Sequence, residues 1–478
     1  MTILLLSAGF SFSQNPDLPE DFLGAKFHKD RREALRKLLP ENSVAAFFAN
    51  PVRNRANDVE YVYHQDPNFY YLTGYREPDA VLLIFKDFQT GPKGEKYNEI
   101  IFVQPRNEMY EMWTGRRLGE EGVKKELGFN QVFANTQFAD YGIDFSKFKE
   151  VLFNPFYNDV RNTRDKADLY DLIADFKTKV GYRDDLSNSL AVEPQAQNIN
   201  LNSLRGMMGE LRGVKTEEEL VFLRKAVNIS TVGQREVMKA ITPGMSEREI
   251  QGIHEFVFRK YGAEFEGYPS IVGAGHNGCI LHYIDNYKPE VSSKELILMD
   301  LGAEYRGYSA DVTRTIPVSG KFSKEQKAIY DLVYKAQEEA MKLVKPGVSM
   351  STLNAKTVEI INEGLFELGI ISSKTERHNY YPHGCCHHIG LDVHDPGNRT
   401  LVKNMAFTIE PGIYIPEGSK CDKKWWGIAV RIEDDVLVTD KGWELLSKLA
   451  PRSSEEIELL MAEPSPLDQF TLPDIDKH

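Results

Sequence analysis

Two segments of this sequence each place an aspartate inside an apolar run typical of a β-strand: Asp300 in LILMDLGA and Asp311 in SADVTRTI. The residues between them suit a hairpin turn centred between Tyr305 and Arg306. That register predicts that the two aspartates face each other, with Cβ atoms about 4.5–5.5 Å apart. Because like charges repel at this distance and a cation removes the repulsion, the pair predicts a metal site. The alternative is a different register and two unrelated aspartates.

A second pair of strand-like segments repeats this arrangement with glutamates. Glu410 lies in FTIEPGIY and Glu433 in GIAVRIEDDVLV, and the connection between the two segments is too long to define a register. Because Asp434 and Asp435 follow Glu433 directly, the alternative for Glu433 is a solvated strand end. In the metal-site interpretation, each strand pair contributes two carboxylates.

The histidines are concentrated in one short segment. Of the 11 in the chain, His383, His387, His388 and His394 fall within PHGCCHHIGLDVHD. His383 and His387 are four residues apart, so they share a face in a helix or a strand. Such a cluster beside acidic strands favours a functional site over a set of structural histidines. His282, in ILHY, is a weaker candidate on its own.

The charge of these groups predicts the number and kind of ions. Four carboxylates and one neutral imidazole carry four negative charges, which two divalent cations would balance. Such a pair of ions, about 3.5–4 Å apart, activates a bridging water or hydroxide as the nucleophile of a hydrolysis. An oxygen-rich ligand set with one nitrogen and no thiolate favours Mn²⁺, with Co²⁺ or Zn²⁺ as alternatives.

Two further motifs are incomplete. GAGHNG at 273–278 matches the glycine fingerprint of dinucleotide-binding folds, but the residues that follow do not form an amphipathic helix. His254 and Glu255 begin a zinc-binding HExxH motif, but Phe258 stands where the second histidine is required.

Composition excludes several classes of protein. With 58 basic and 71 acidic residues the chain has a formal net charge of −13, which disfavours nucleic-acid binding. No apolar run reaches the about 18 residues of a membrane span. Residues 1–13 resemble a secretory signal without its basic start, which favours a periplasmic or secreted protein, with a cytoplasmic location as the alternative. The four cysteines are too few for a disulfide framework and are predicted to be free thiols.

The spacing of apolar residues divides the chain into two main domains. We expect a smaller α/β domain over 25–185, a polar linker over 186–214, a larger α+β domain over 215–450, and a short helix and tail over 451–478. In the smaller domain the pattern predicts a helix over Asp30–Leu39 and strands over Ser43–Ala49, Phe69–Tyr75, Ala80–Phe85 and Glu99–Val103.

The larger domain shows a coarse internal repeat of two helices followed by strands. Helices are predicted to start at Thr216, whose side chain precedes an acidic first turn, and at Ser246. After the first strands, two more helices are predicted over Lys324–Val344 and Ser351–Leu368, and strands return until Thr439.

Several of these stretches resemble the aminopeptidase P branch of the pita-bread metallopeptidases, a family that also contains prolidase. The matching stretches are IVGAGHNGCILHY, LILMDLGAEYRGYSADVTRT, HGCCHHIGLDVHD, TIEPGIYI and VRIEDDVLVT, with FFANPVRNRANDVEYVYHQDPNFYYLTGYREPDAVLL and EMWTGRRLG before them. The resemblance covers most of the chain. It implies a pita-bread catalytic domain with pseudo-symmetric helix-helix-strand halves, preceded by a creatinase-like N-terminal domain.

The resemblance also implies a role for each candidate residue. The metal ligands it implies are Asp300, Asp311, His387, Glu410 and Glu433. Glu410 would also be the general base or acid, while His282 and His394 would contact the substrate and stabilise the tetrahedral intermediate. His383 would line the substrate pocket, and Arg431 would hold groups behind the ligands. Trp113 would reach an active site, either in its own chain or in a neighbouring subunit. His388 receives no role.

The implied reaction is release of the N-terminal residue from peptides with proline at the second position. A prolidase that cuts only Xaa-Pro dipeptides is the nearest alternative. A metal-free pita-bread module that binds peptides is a more remote one, because it would lack ligands that are all present here. The resemblance further implies a homo-oligomer, either a dimer or a tetramer.

Overall fold

The computed structural model describes residues 21–91, 93–183 and 196–468. The predicted signal segment, 1–13, lies outside the described residues, as do residues 186–195 of the predicted linker and the end of the tail. Within the described ranges, no helix combines the length and the apolar character that crossing a membrane requires.

The N-terminal part is a six-stranded mixed sheet with helices packed against it. The elements in chain order are α1 (Ala25–Leu38), β1 (Ser43–Phe48), β2 (Asn54–Ala56), β3 (Val59–Glu60), α2 (Pro67–Thr73), β4 (Val81–Thr90), β5 (Lys96–Val103), α3 (Glu108–Thr114), α4 (Gly119–Leu127), β6 (Val132–Ala134), β7 (Glu150–Leu152), α5 (Leu169–Val180) and β8 (Ile199–Asn200). The strands of the sheet, in spatial order β6-β5-β4-β1-β7-β8, form both parallel and antiparallel pairs. Strands β2 and β3 form a small separate hairpin.

The strand predicted over Phe69–Tyr75 is wrong, because this segment is the helix α2. Its aromatic residues favour a strand, but its ends favour a helix. Asp66 accepts a hydrogen bond from the Phe69 backbone N–H at 2.8 Å, and proline occupies the first helical position. Gly74, at φ +72°, closes the helix in the left-handed region.

The described part of the predicted linker, 196–214, is ordered secondary structure. β8 extends the N-terminal sheet by pairing with β7, and α6 (Ser203–Gly213) packs against α1. One hydrophobic cluster runs from the N-terminal domain through α6 into the catalytic domain, and includes Tyr71, Leu204 and Leu223. The two domains are therefore joined by a shared core.

The catalytic domain repeats two helices followed by strands. The first half contains α7 (Glu217–Ala240), α8 (Glu247–Lys260), β9 (Phe265–Glu266), β10 (Ile271–Ala274), β11 (Leu296–Asp300), β12 (Ala303–Tyr305), β13 (Tyr308–Ser309) and β14 (Thr313–Pro317). The second half contains α9 (Lys324–Met341), α10 (Met350–Glu367), β15 (Ala406–Ile409), β16 (Gly412–Ile415), β17 (Ile428–Arg431), β18 (Asp434–Val438) and β19 (Trp443–Leu445), and α11 (Ser454–Leu460) follows. Thr216, Ser246 and Ser323 cap three of these helices through capping boxes.

The strands form small antiparallel sheets. Their spatial orders are β10-β11-β14, β13-β12-β9, β15-β18-β19 and β16-β17. α8 packs against β10 and α9 against β17, so helices cover strands in both halves. The glycine motif at 273–278 leads into a short 3₁₀ helix over Gly275–Cys279, not into an amphipathic α-helix.

The predicted hairpin between Asp300 and Asp311 exists, but its register differs by two residues. Asp300 lies opposite Thr313, and the turn is centred on Arg306 and Gly307. The reason is the backbone conformation of the turn, where both of these residues have positive φ values, of 53° and 87°. Asp311 therefore lies in the irregular stretch between β13 and β14, and a strand ladder alone does not bring it to Asp300.

Candidate metal centre

Asp300 and Asp311 converge even though they are not cross-strand partners. The Tyr268 hydroxyl lies 2.5 Å from Oδ1 of each of the two aspartates. The backbone segments that carry the two aspartates lie close together at Gly302, where an added Cβ would lie 1.8 Å from the Ala310 carbonyl oxygen. Only a residue without a side chain allows the two strands to approach so closely between the carboxylates.

The second strand set places two glutamates beside this pair. Glu433 follows β17; its backbone N–H donates to the Thr313 carbonyl at 3.1 Å, and its Oε2 accepts from the Thr313 hydroxyl at 2.7 Å. Glu410 follows β15, and its backbone N–H donates to the Cys385 carbonyl at 2.9 Å. The bonds between Glu433 and Thr313 connect the two halves of the catalytic domain at the acidic cluster, and the bond from Glu410 ties it to the histidine-rich loop of the second half.

His387 lies at the centre of three of the carboxylates. Its Nε2 is 3.4 Å from Asp311 Oδ2, 3.6 Å from Glu410 Oε1 and 3.8 Å from Glu433 Oε1. Ligand atoms of Asp311, His387 and Glu433 all lie within 4.8 Å of one another. The imidazole is held through its other nitrogen, since Nδ1 lies 3.1 Å from the His388 carbonyl, which leaves Nε2 facing the cluster.

The donor atoms are suited to divalent ions. Glu433 is 2% exposed, and its Oε1 has no hydrogen-bond partner among the described residues. The Tyr268 hydroxyl carries one proton and therefore cannot donate to both aspartates at once. A buried carboxylate oxygen without a donor is costly, and a cation among these oxygens removes that cost.

The pKa shifts have the same cause. Burial raises the pKa of Asp311 well above its ordinary value, and the nearby charge of Asp300 adds to the rise. Burial likewise raises the pKa of Glu410 and of Glu433, each helped by a neighbouring carboxylate. Asp300 is the exception: burial acts upward, but the charge and hydrogen bond of Arg431, together with the hydrogen bond from Tyr268, lower its pKa.

Arg431 holds the groups behind the cluster. Its Nη2 donates to Asp300 Oδ2 at 2.5 Å and its Nη1 donates to the Tyr414 hydroxyl at 2.9 Å. The Tyr414 hydroxyl lies 2.8 Å from His383 Nε2, and His383 Nδ1 lies 2.8 Å from the Gly384 carbonyl. Because a carbonyl only accepts, Nδ1 carries the proton and Nε2 accepts from Tyr414. Burial lowers the pKa of His383 to about 4, which keeps this imidazole neutral.

The remaining histidines divide into two groups. His394 stacks edge-on against His387 with 4.4 Å between ring centroids, and both His394 and His282 are exposed. Burial is the main cause that lowers the pKa of His383 and of His394, and His282 adds a smaller contribution to both, which indicates that it lies near these two imidazoles. His388 is buried, and its Nε2 lies 2.9 Å from the Asn398 carbonyl, which is a structural arrangement.

Trp113 is the one candidate that the structure does not bring to the cluster within this chain. It lies on α3 and is 85% exposed. Among the described residues, no contact joins it to the metal centre.

The interpretation of Glu433 as part of a solvated strand end is wrong. Asp434 and Asp435 are fully buried. Asp434 is paired with Arg314 at 2.7 Å and with Arg452 at 2.9 Å, while Asp435 Oδ2 accepts from the Asp311 backbone N–H at 3.1 Å. The acidic run therefore lies inside the domain and fixes the backbone at a proposed ligand.

Sequence reasoning missed Tyr268, Thr313, Tyr414 and Asp435. The sequence carries no signal for Tyr268, which precedes β10 and meets the aspartates only in the fold. Asp435 was recognisable as an acid in an apolar strand, the same pattern that identified Asp300 and Glu433.

Two family models match the chain. The model for metallopeptidase family M24 matches residues 222–440, and the model for the N-terminal domain of aminopeptidase P matches residues 28–152. The matches fall on the two halves of the structure described above.

Relatives match over nearly the whole chain. The Xaa-Pro aminopeptidase of Escherichia coli (strain K12) is 34% identical over 452 residues, which cover 90% of this chain and 96% of that protein. Human Xaa-Pro aminopeptidase 3 is 30% identical over 431 residues, which cover 87% of this chain and 80% of that protein. Among solved structures, Pseudomonas aeruginosa aminopeptidase PepP matches with a TM-score of 0.79 and 34% identity. The match covers 92% of this chain and 98% of that one. E. coli aminopeptidase P with the inhibitor Pro-Leu matches with a TM-score of 0.79 and 31% identity, with the same coverage.

Proposed function

Since this chain belongs to metallopeptidase family M24, as one of its Xaa-Pro aminopeptidases, we propose that its acidic cluster holds two divalent ions for cleavage of the bond before proline. The enzyme is a metallo-exopeptidase with a pita-bread catalytic domain. The number of ions, their identity and the role of each residue are our proposals.

The proposed ligands are Asp300, Asp311, His387, Glu410 and Glu433. Four carboxylates match the charge of two divalent ions, and the oxygen-rich set favours Mn²⁺ over Co²⁺ or Zn²⁺. Divalent ions bound there would polarise the scissile carbonyl and lower the pKa of a bound water. The observation that carries this proposal is the position of His387 Nε2, within 3.8 Å of three carboxylates from three separate segments.

Glu410 is the proposed proton carrier. Its raised pKa suits a group that takes a proton from the attacking water and returns it to the leaving proline nitrogen. Its Oε2 lies 3.5 Å from His383 Nδ1, while its Oε1 faces His387. Glu410 therefore lies between His387 and the pocket histidine His383, where a proton must move.

The exposed histidines are the proposed substrate contacts. His282 and His394 face the space in front of the cluster and can donate to the oxygen on which charge develops in the tetrahedral intermediate. Neutral His383, held by Tyr414, lines the pocket beside Glu410. A closed pocket here would accept the proline ring, whose fixed φ and tertiary amide ordinary peptidases handle poorly.

The test is peptide cleavage by metal-stripped enzyme with Mn²⁺ added back. We expect activity on Xaa-Pro-Xaa tripeptides and little on Xaa-Ala-Xaa, which controls for proline. Xaa-Pro dipeptides distinguish the alternative, because activity confined to them would indicate a prolidase. Equal activity before and after metal is restored would contradict the metal assignment, and Co²⁺ and Zn²⁺ added at matched concentrations test the choice of Mn²⁺.

The proposed assembly is a homo-oligomer, a dimer or a tetramer. Support comes from α3, a short helix that exposes Trp113, Met112 and Met109 at 85%, 86% and 72%. Exposed apolar side chains in one place are typical of interaction surfaces. Light scattering of the purified enzyme should show more than one chain, and Trp113→Ala should lower the activity if this side chain reaches a neighbouring site.

The proposed location is the periplasm or the cell exterior, with the cytoplasm as the alternative. The support is the apolar segment within residues 1–13. Fractionation of cells that produce the full chain, with N-terminal sequencing of the product, tests both the location and cleavage.

A further inference from the structure

Cys385 and Cys386 are neighbours in the chain whose sulfur atoms are in contact. The two Sγ atoms lie 2.9 Å apart, and both residues are free cysteines. Cys385 is completely buried in the apolar cluster beneath β15, while Cys386 is partly exposed. Both line a groove of about 1270 Å³ between the two domains, which also reaches His387 and His394.

The pair is connected to two proposed metal ligands through the backbone. The Cys385 carbonyl accepts from the Glu410 N–H at 2.9 Å. On the other side, the His387 N–H donates to the Thr408 hydroxyl at 3.2 Å, and the His387 carbonyl accepts from the Thr408 N–H at 2.8 Å. A change in the backbone at Cys385 and Cys386 therefore displaces groups that position His387 and Glu410.

From this geometry we infer that Cys385 and Cys386 form a modification site, where hydrogen peroxide converts the two thiols into a disulfide and thereby inactivates the metal centre. The Cys386 sulfur attacks a peroxide oxygen, the O–O bond breaks, and a sulfenic acid and water form. The Cys385 sulfur then displaces the hydroxyl group from the sulfenic sulfur, which releases a second water. Two thiols are oxidised and one peroxide is reduced.

The exposure of the two cysteines indicates the order in which their sulfur atoms react. Cys386 faces the groove and meets the oxidant first, whereas the fully buried Cys385 resolves the sulfenic acid. Because Cys386 is only partly exposed, the reaction is expected to be slow and to respond to sustained rather than brief exposure to peroxide.

The disulfide is expected to be reversible. Adjacent residues have Cα atoms about 3.8 Å apart across a trans peptide, closer than the about 4.4–6.8 Å of ordinary disulfides. Ring closure must therefore distort the backbone of both residues. Strained disulfides are more easily reduced than structural ones, so a dithiol reductant should restore the thiols.

The experiment treats the Mn²⁺-loaded enzyme with hydrogen peroxide, removes the peroxide with catalase, and divides each sample. One half is mapped by mass spectrometry after alkylation, and the other is assayed before and after dithiothreitol. We expect the peptide that contains both cysteines to lose two hydrogen atoms. We expect kcat/KM to fall by about 10-fold to 100-fold, as when groups supporting metal ligands are disturbed, and to recover on reduction.

Matched variants separate this site from general oxidation. Cys386→Ser should keep its basal activity and resist peroxide, and Cys385→Ser should form a sulfenic acid without the internal disulfide. The double variant Cys279→Ser with Cys421→Ser, which removes the other two thiols, should respond as the wild-type enzyme does.

Three results would overturn the inference. The first is that both thiols can still be alkylated after prolonged treatment with peroxide. The second is that the disulfide forms completely and activity does not fall. The third is that peroxide inactivates Cys386→Ser as much as the wild-type enzyme. Because disulfide formation is read by mass, the modification remains testable even if the proposed metal roles are wrong.

Discussion

The carboxylates of Asp300 and Asp311 lie on either side of one hydroxyl group, that of Tyr268, at 2.5 Å from each. The two aspartates are not opposed in the strand ladder, in which Asp300 faces Thr313. The phenol and the close approach at Gly302 bring them together instead. This arrangement concentrates negative charge where we propose that a divalent ion binds, and the following predictions test its parts.

Tyr268→Phe removes the shared hydroxyl and retains the ring. We expect affinity for Mn²⁺ to fall by about 10-fold to 100-fold, because groups that orient metal ligands have effects of this size. Titrating each metal-stripped variant with Mn²⁺ and recording its activity measures this affinity. Tyr305→Phe, which removes a hydroxyl bound to Asp21 instead, is the matched control and should titrate as the wild-type enzyme does.

Asp311→Asn should abolish hydrolysis while the fold persists. The substitution retains the size of a buried side chain and removes one of the charges that raise the pKa of Glu433. Circular dichroism should match the wild-type spectrum, and kcat should fall below detection. Asp331→Asn, on α9, is the control, because its half-exposed carboxylate is paired with Lys327 and takes no part in the acidic cluster. Substantial activity of Asp311→Asn after metal stripping and reloading would contradict the assignment of this ligand.

Gly302→Ala should disrupt the approach of the two strands. The added Cβ would lie 1.8 Å from the Ala310 carbonyl oxygen and 3.0 Å from the Tyr268 ring, so the backbone must move. We expect the free energy of unfolding to fall by about 1–3 kcal/mol and Mn²⁺ affinity to fall with it.

The control for that variant is Gly252→Ala, on an exposed position of α8 with open space around the added Cβ. It should stabilise the protein by up to about 1 kcal/mol through helix propensity. Chemical denaturation of both variants gives the comparison, and equal stability of the two would refute the steric argument.

The metal-free enzyme should lose stability as the pH rises. The pKa values of Asp311, Glu410 and Glu433 are raised in the folded state, so the folded protein binds their protons more tightly than the unfolded chain. Their stabilising contribution is complete below the ordinary carboxyl pKa of about 4 and is lost as the pH rises through the folded values. Asp300, with a lowered pKa, acts in the opposite direction.

Thermal unfolding with and without Mn²⁺ checks this sign. The gain in Tm on adding Mn²⁺ should grow between about pH 5 and pH 8, because ions bind the deprotonated carboxylates. In the variant Glu433→Gln, the gain in Tm on adding Mn²⁺ should increase less with pH. A gain that is constant with pH would show that these carboxylates do not titrate on metal binding.

The sequence alone predicts most residues of the candidate site because its signals are local. An acid within an apolar strand, as at Asp300, Asp311, Glu410 and Glu433, is unfavourable unless the fold pairs it, so its position is informative by itself. The helix caps at Thr216 and Ser246 and the alternation of helices and strands are also set by neighbouring residues. Local signals failed where two of them competed: the aromatic residues of 69–75 favour a strand, but Asp66 and Gly74 impose a helix.

Only the tertiary structure decided how these groups meet. The register of the hairpin depends on the left-handed conformation of Arg306 and Gly307, and the partner of the aspartates, Tyr268, lies beyond the reach of any local pattern. The contact between Cys385 and Cys386 and their bonds toward Glu410 and His387 depend on the path of an irregular loop. Residue type and spacing determine which chemistry is available, whereas distances between segments far apart in the chain depend on packing of the whole core.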